Sequence, residues 1–329
     1  PGDVQIRGTT FIKANTATGN LAIGTNAGLT TQGANTVAIG THAGKTNQGP
    51  SAVAIGNQAG ETEQEDGAVA VGVQAGESSQ DVNATALGRQ AGFNQQGNAS
   101  VAIGYLAGCG DQGTKAVAVG TAAGQTAQGT NTVAVGNSAG ETGQNNFSVA
   151  IGTNAGCRAQ DGAVAVGSSA GRDGQGDDAI AIGPSAGHTS QGVSSIAIGH
   201  DAGSAGQNTF SVAIGINTAL NAQGTNAVAI GRGAGQNVQG NQAVAMGYHA
   251  GLNAQGNNST AVGRDAGCVS QGENTTTVGY RAGQTSQGAQ AVAVGYAAGR
   301  VSQGDYAIAM GYIAGSASQG AEAVAIGHA

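Results

Sequence analysis

Thr36-Val37-Ala38-Ile39-Gly40 is the stretch that decides the fold, because it returns barely altered from one end of the chain to the other. Its closing glycine recurs every 16 residues from Gly24 to Gly327, and a single interval of 15 separates Gly152 from Gly167. A short repeat this regular is typical of a solenoid, in which each unit forms one coil. The sequence therefore predicts about 19 coils rather than separate globular domains.

One repeat reads as a small residue, Val-Ala-Ile-Gly, two variable residues, Ala-Gly, three variable residues, Gln-Gly and two variable residues. Sixteen residues are too few for a pair of helices, and Val, Ile and Thr beside Gly-rich turns favour strands. We therefore predict an all-β, parallel β-solenoid with two short strands and two tight turns per coil. Residues 1–20 echo the repeat only weakly. We interpret them as a lead-in or cap for one solenoid domain at 21–329, a fragment of a longer chain.

Three positions of the repeat are assigned structural roles. The glutamine, as at Gln32, Gln48 and Gln64, recurs in every full coil, and side chains stacked about 4.8 Å apart can form an amide ladder. The Ala-Gly pair, which includes Gly44, lets two backbones approach closely. The position after the glutamine is predicted to be left-handed, because Asp or Asn usually replaces Gly there. A phosphate-binding loop at 40–46 is rejected, since its glycines lie one residue too close together.

No charged residue occurs at the five positions of the Val-Ala-Ile-Gly strand in any of nineteen coils. Alternation places Val37 and Ile39 on one face of the strand and the small residues on the other. One of these faces can line the lumen, and the other must be covered, because a solvated face would be polar. A second copy of the same sheet is the economical cover, so we expect a homo-oligomer joined through this sheet.

The composition argues against several function classes. The net charge is −7, charged residues make up 9%, and no basic tract is present, which argues against nucleic acid as a partner. No apolar run approaches the length of a membrane span, so this segment is not predicted to insert into a membrane. No Ser or Cys nucleophile recurs with a His and an orienting carboxylate, so we predict neither catalysis nor a cofactor.

Two clusters are weak candidates for binding. Carboxylates crowd two neighbouring coils, and Ca²⁺ could relieve their repulsion, although a solvated acidic patch is favoured because the Gly-rich Ca²⁺-binding nonapeptide is absent. Tyrosines directly follow the closing glycine in several coils, where exposed rings suit contact with sugars. A stack that stabilises the coils, or packing against a neighbouring chain, is the favoured alternative for these rings. The residues are Glu61, Glu65, Asp66, Glu77 and Asp81 for the metal and Tyr248, Tyr280, Tyr296 and Tyr312 for the contact surface.

The units Ser100–Gly104 and Ser148–Gly152 read Ser-Val-Ala-Ile-Gly and resemble repeats of the YadA-like head of trimeric autotransporter adhesins. That resemblance implies a left-handed parallel β-roll in which three chains pack side by side. The 16-residue unit is longer than the coil of that family. It is similar to the Ala-Ile-Gly-x-x-Ala-Gly repeats in fibres and spikes of bacteriophages and large DNA viruses, and Ile216–Leu220 is similar to another such variant. Both resemblances imply a homotrimeric surface fibre.

We therefore predict a non-enzymatic shaft or head of a surface fibre or spike that mediates attachment to a glycan or cell-surface receptor. The longer coil favours a virion surface, and a bacterial adhesin head is the alternative. An ice-binding solenoid stays open because five threonines share one place in their coils. A carbohydrate-binding or carbohydrate-active solenoid stays open as well, and catalysis there would need paired acids facing a groove. The threonines are Thr30, Thr46, Thr62, Thr126 and Thr142.

Overall fold

The computed structural model describes residues 4–6, 9–159 and 161–328, and these contain strands and turns but no helix. In this described part, therefore, no helix is long and apolar enough to cross a membrane. The chain divides into two compact units, Pro1–Gly162 and Ala163–Ala329, and the same coil repeats within each. The predicted all-β parallel solenoid of about 19 coils is confirmed.

The first unit begins with two strands that run antiparallel, β1 (Val4–Ile6) and β2 (Thr9–Asn15). The Val-Ala-Ile segments then form the first strand of each coil, and the residues up to the glutamine form the second strand. First strands are β3 (Asn20–Ile23), β5 (Val37–Ile39), β7 (Val53–Ile55), β9 (Val69–Val71), β11 (Thr85–Leu87), β12 (Val101–Ile103), β13 (Val117–Val119), β14 (Val133–Val135) and β15 (Val149–Ile151). Second strands are β4 (Thr30–Gln32), β6 (Thr46–Gln48), β8 (Thr62–Gln64), β10 (Ser78–Gln80) and β16 (Arg158–Ala159).

The second unit alternates first and second strands without interruption. Its first strands are β17 (Val164–Val166), β19 (Ile180–Ile182), β21 (Ile196–Ile198), β23 (Val212–Ile214), β25 (Val228–Ile230), β27 (Val244–Met246), β29 (Thr260–Val262), β31 (Thr276–Val278), β33 (Val292–Val294), β35 (Ile308–Met310) and β37 (Val324–Ile326). Its second strands are β18 (Asp173–Gln175), β20 (Thr189–Gln191), β22 (Ala205–Gln207), β24 (Asn221–Gln223), β26 (Asn237–Gln239), β28 (Asn253–Gln255), β30 (Val269–Gln271), β32 (Thr285–Gln287), β34 (Val301–Gln303) and β36 (Ala317–Gln319).

Neighbouring coils pair in parallel with a constant offset. β5 pairs with β7 so that Val37 lies beside Val53 and Ile39 beside Ile55, and the same shift of 16 residues recurs from coil to coil within each unit. Identical residues therefore stack in rows. The N-terminal β2 is different, because it pairs antiparallel with β3 of the first coil.

The second strand is less regular than the sequence predicts. Its middle residue has a positive φ, 53° at both Asn47 and Glu63, so only its two ends pair with the next coil. Between Gln80 and Gln144 it is reduced to isolated bridges joining successive coils, and the prediction of two strands per coil fails for these coils. A residue in the left-handed conformation interrupts the ladder, because its backbone turns away from the extended direction.

The lumen is lined by small side chains and glutamines. Ala38 and Ala43 are buried, Thr36 is buried, and the largest fully buried side chains are glutamines and threonines. Because alternate residues of a strand point to opposite faces, Val37 and Ile39 point outward. The question that the sequence leaves open, which face of the first strand lines the lumen, is therefore answered in favour of the small residues.

Two predictions about glycine are wrong in detail. The residue after the glutamine is not left-handed: Gly49 has no positive φ, and a Cβ there would lie 2.6 Å from the carbonyl carbon of Glu65. The Ala-Gly glycine, Gly44, has a φ of 48° and makes room for a glutamine side chain rather than for a backbone. Close backbone approach occurs instead at the closing Gly40, whose Cβ would lie 2.6 Å from the carbonyl carbon of Gly56.

The single 15-residue interval follows Gln160, and we predict from the sequence that a turn is shortened there without a shift of strand register. Gln160 lies outside the described residues. The first strand after it, β17, pairs with β19 in the usual register, with Val164 beside Ile180.

Candidate interaction surface

The outward Val and Ile side chains of the first strands form an apolar surface, which we call the outer apolar face. In the first unit Ile55 and Ile151 are 37% and 40% exposed, and in the second unit Met246 and Met310 are 40% and 42% exposed. No charged residue interrupts the face in any coil. Contiguous exposed apolar surface of this kind marks an interaction site on a soluble protein.

The packing of the lumen forces these side chains outward. Ala54 and Ala70 are completely buried, and the adjacent glutamine row fills the remaining space between the two strands of each coil. A larger side chain could not be accommodated inside, so Val and Ile occupy the opposite face of the strand. The outer apolar face is thus a direct consequence of the small-Val-Ala-Ile alternation.

Aromatic side chains also flank this face on the side where the chain enters the first strand. Phe147 and Phe210 are 65% and 60% exposed, Tyr306 is exposed as well, and all three have a positive φ. Aromatic residues rarely adopt this conformation, so each one carries a backbone cost. Sequence reasoning missed this row. The signal that could have found it is an aromatic residue recurring at a turn position in a chain with only 3% aromatic residues.

The predicted tyrosines lie together on the opposite flank, directly after the closing glycines. Tyr280 stacks on Tyr296 and Tyr296 on Tyr312, each with ring centroids 5.0 Å apart, and Tyr312 stacks on His328 at 4.9 Å. Tyr248 does not touch Tyr280 in this way. The ring faces of the stacked tyrosines cover one another, so a bound sugar would meet their exposed edges. The predicted contact with sugars stays a prediction.

Two arginines, which sequence reasoning overlooked, complete this row. The Arg264 guanidinium lies between two rings, 5.4 Å from the centroid of Tyr248 and 5.7 Å from that of Tyr280. Arg232 covers the other side of Tyr248 at 5.8 Å. Both arginines occupy the same coil position as the tyrosines, which is the signal that the sequence offered. We call the residues Arg232, Tyr248, Arg264, Tyr280, Tyr296, Tyr312 and His328 the aromatic–arginine row.

Glu61 is the best-connected of the five candidate metal ligands. Its carboxylate accepts hydrogen bonds of 2.9 Å from both Lys45 and Gln58, and His42 lies 3.6 Å away. Burial acts to raise the pKa of Glu61, but these donors and positive charges outweigh it, and the pKa lies below its ordinary value. For Glu77, burial and the nearby Glu61 charge outweigh a hydrogen bond with Gln74 and raise the pKa.

The other three acidic candidates lie at a different corner. Strand β8 separates Glu61 from Glu65 and Asp66, and Asp81 follows the next second strand in the same place as Glu65. Among the described residues, no group of three or more His, Cys, Asp or Glu side chains could hold a metal ion. The structure therefore does not bring the five carboxylates together into one site.

The glutamines form the predicted amide ladder, and it lies inside the lumen. Gln48 donates to Gln64 at 3.2 Å, and Gln64 donates to Gln80 at 3.0 Å. The same amide of Gln48 also donates to the carbonyl of Val37, so the ladder ties the second strand to the first. Gln32 is the exception, because it is half-buried and donates only to backbone carbonyls. Further rungs join Gln80 to Gln96, Gln112 to Gln128, Gln128 to Gln144, Gln223 to Gln239 and Gln287 to Gln303.

The threonines of the ice-binding hypothesis do lie in one row, with Thr46 beside Thr62 and Thr126 beside Thr142. The hydroxyls of Thr30, Thr62 and Thr126 donate to backbone carbonyls of the next coil at 3.4, 3.2 and 3.0 Å. These hydroxyls are engaged within the protein, which leaves them less able to organise water. Ice binding stays a prediction that a thermal hysteresis measurement would test.

A polar groove of about 700 Å³ runs past the coils whose second strand is reduced to bridges. Three carboxylates from different coils, Glu63, Asp81 and Asp111, contribute to its lining. The thiols lie elsewhere: Cys109, Cys157 and Cys268 are all free. Burial raises the pKa of Cys109, and burial together with the Asp265 charge raises that of Cys268, so both favour the unreactive thiol. Neither feature supplies an activated nucleophile.

Comparison with known families identifies two of these coils. Residues 239–266 match the model of the YadA head domain repeat, in two copies. The match confirms the resemblance drawn from the Ser-Val-Ala-Ile-Gly units. A search of curated proteins finds no match for the chain.

The two YadA head repeats contain features of both candidate surfaces. Strands β27 and β29 fall within the match and contribute Val244 and Met246 to the outer apolar face. Tyr248 and Arg264 of the aromatic–arginine row fall within it as well. The YadA head match indicates an adhesin-like head or fibre segment exposed at a surface.

Proposed function

We propose that this chain is a non-enzymatic segment of a homotrimeric surface fibre, head or shaft, that mediates attachment. The outer apolar face is the observation that carries the proposal. In each unit it presents uncharged Val and Ile side chains coil after coil, and solvated sheet faces are normally polar. The YadA head repeats at 239–266 support three chains as the number that covers it.

A second copy of the chain fits this face better than an unrelated partner does. The face repeats with a shift of 16 residues, so any cover must offer apolar groups at the same spacing over many coils. The same sheet meets that requirement without further assumptions, and closed symmetry is the usual way for soluble proteins to satisfy it. Residues 1–20 would then act as the cap, since β2 pairs with β3 and covers the edge of the first coil.

Sedimentation equilibrium tests the assembly. The expected mass is near 94 kDa, three times the 31.3 kDa of one chain. The double variant Val133→Glu/Val135→Glu places two charges on the outer apolar face and should sediment as a monomer, because an unpaired charge buried in an interface costs several kcal/mol, about 3–5 in typical cases. Circular dichroism would confirm that the variant keeps its β structure.

Ala127→Glu is the matched control. Ala127 is exposed on the second-strand side with a φ of 50°, and Glu63 occupies the equivalent place three coils earlier. This variant should remain trimeric. A wild-type chain that sediments as a monomer at micromolar concentration would refute the assembly, and a control that dissociates like the double variant would refute the assignment of the interface.

The surface that carries the fibre is the finer part of the proposal. The 16-residue coil supports a virion fibre or spike, whereas the YadA head match supports a bacterial adhesin head. We propose the virion fibre first, on the strength of a period that holds through almost the whole chain. Antibodies against this chain should then label virions in electron micrographs. Labelling of bacterial cells alone would favour the adhesin.

A further inference from the structure

The coils around the aromatic–arginine row differ from the rest of the chain in charge. Residues 202–304 contain four arginines, no lysine and only two acidic residues, Asp265 and Glu273, whereas the whole chain has a net charge of −7. The acidic excess of the protein therefore lies elsewhere. This stretch carries a positive surface on an otherwise acidic molecule, and such a surface attracts anionic partners.

The contacts within the row leave its positive charge only partly neutralised. Asp265 is the one carboxylate close to the guanidiniums: its oxygens lie 3.5 Å from Arg264 and 3.8 Å from Arg281, and His249 is 3.7 Å away. Arg232 makes no ion pair among the described residues and contacts the Tyr248 ring. Three guanidiniums thus share one carboxylate, and the Arg264 and Arg281 side chains remain 59% and 40% exposed.

The geometry also decides which groups a ligand would meet. The two faces of Tyr248 are covered by Arg232 and Arg264, and those of Tyr280 by Arg264 and Tyr296. Only the edges of these side chains point to solvent, and those edges carry guanidinium N–H groups and phenolic O–H groups. Both are hydrogen-bond donors, so the row offers a line of donors to anionic oxygens.

We propose that the row between Arg232 and Arg281 binds an acidic polysaccharide along its length, through carboxylate or sulfate oxygens. This deepens the proposed attachment function by naming the class of receptor. Arg232 and Arg264 are two coils apart, roughly 10 Å at the spacing of parallel strands, so donors of one kind recur at regular intervals. A polymer with regularly spaced charges can use several of them together, which a small anion cannot.

The full-length chain should bind heparin, polygalacturonate and dextran differently in biolayer interferometry. Heparin supplies sulfate groups, polygalacturonate supplies carboxylates, and dextran is neutral. We expect binding to one or both acidic polymers that weakens as salt is raised, because exposed charges are screened. The stronger of the two acidic polymers identifies which anionic group is recognised. Equal binding of dextran, or stronger binding of duplex DNA, would overturn the proposal.

Arg232→Gln/Arg264→Gln is the decisive variant. It removes two charged donors and should lower the affinity for the preferred polymer at least about tenfold, since a hydrogen bond to a charged group contributes more than a neutral one. Arg300→Gln is one control, because Arg300 is exposed in a different row. Arg89→Gln is the second, because Arg89 covers Tyr105 at 5.7 Å in the same coil position but outside the positive stretch. Both controls should bind nearly as well as the wild type.

The outcome can be separated from that of the trimer. If neither acidic polymer binds a chain that sediments as a trimer, the receptor proposal fails and the proposed assembly stands. If the double variant loses the trimer, the row is part of the subunit interface, and the receptor proposal fails for that reason. Loss of affinity with the trimer intact supports it, and unchanged affinity in the double variant overturns it.

Discussion

Replacing Gln64 by Leu removes one amide from the buried ladder while keeping a side chain of similar size. The Gln64 amide donates to the carbonyls of Val53 and Ala68 at 2.9 and 3.2 Å and to Gln80 at 3.0 Å, and it accepts from Gln48 at 3.2 Å. Four hydrogen bonds at about 1 kcal/mol each are lost, and burial of the Leu side chain returns about 2 kcal/mol. We expect the free energy of unfolding to fall by about 2 kcal/mol.

Denaturant unfolding followed by circular dichroism measures this change. Repeat proteins need not unfold in two states, so the comparison should use transition midpoints at equal slope. Gln32→Leu is the matched control, because Gln32 occupies the same place in the first coil but is half-buried and donates only to Thr30 and Gly44. Its loss should cost less than about 1 kcal/mol, since solvent can replace its partners.

The double variant Gln64→Leu/Gln80→Leu gives a further test. If the two amides form one ladder, its cost should be less than the sum of the single costs, because their shared hydrogen bond is lost only once. The reasoning would be refuted by a Gln64→Leu protein that is as stable as the wild type, or by equal costs at Gln64 and Gln32.

Two further predictions concern backbone and charge. Gly56→Ala should lower the free energy of unfolding by about 3 kcal/mol, because Gly56 has a φ of 134° and its Cβ would lie 2.6 Å from the carbonyl carbon of Gly72. Gly143→Ala, with a φ of 62° and no heavy atom within 4 Å of the added Cβ, should cost about 1 kcal/mol, and equal midpoints for the two variants would contradict this. Since the pKa of Glu77 is raised, its ionisation disfavours the folded state as pH rises above the ordinary value of 4.5. Glu77→Gln should therefore raise the thermal midpoint at neutral pH and leave it unchanged in acid, and a gain that persists in acid would argue against this cause.

The fold was predictable because the repeat constrains every coil in the same way. The recurrence of Gly40 and Ile39 fixed the coil length, and stacked parallel pairing follows from it. The inward-facing side was not predictable from alternation alone, because the first strand has no charged residue on either face. The buried glutamine opposite Ala38 decides it, since only small residues leave room for the ladder.

The turn conformations were predicted less well. Composition suggested a left-handed residue after the glutamine, but Gly49 is required there by the neighbouring coil. The left-handed residue lies two positions later, at Ser51, and others lie at His42 and in the middle of the second strand. These positions accept Asn, Ser, Gln and even Phe, so residue type gave no clear signal. Steric pressure between coils is a tertiary effect that a single repeat does not reveal.

The candidate surfaces were found in part. The four tyrosines were correctly placed in one row, but Arg264 was not recognised as part of it, because attention to one residue type hides a mixed row. The acidic candidates were grouped by closeness along the chain. Strand β8 places Glu61 and Glu65 at different corners, so closeness in sequence did not translate into a common site.

The constant offset between coils has a consequence for how such a protein can change in length. Hydrogen bonds link each coil only to its neighbours, as when Val53 donates to Ala68, and none depends on how many coils come before. Duplication or loss of one whole 16-residue unit therefore leaves every remaining contact as it was. Reach can evolve in single-coil steps, while any insertion of another size falls on a turn or destroys the stacking of identical rows.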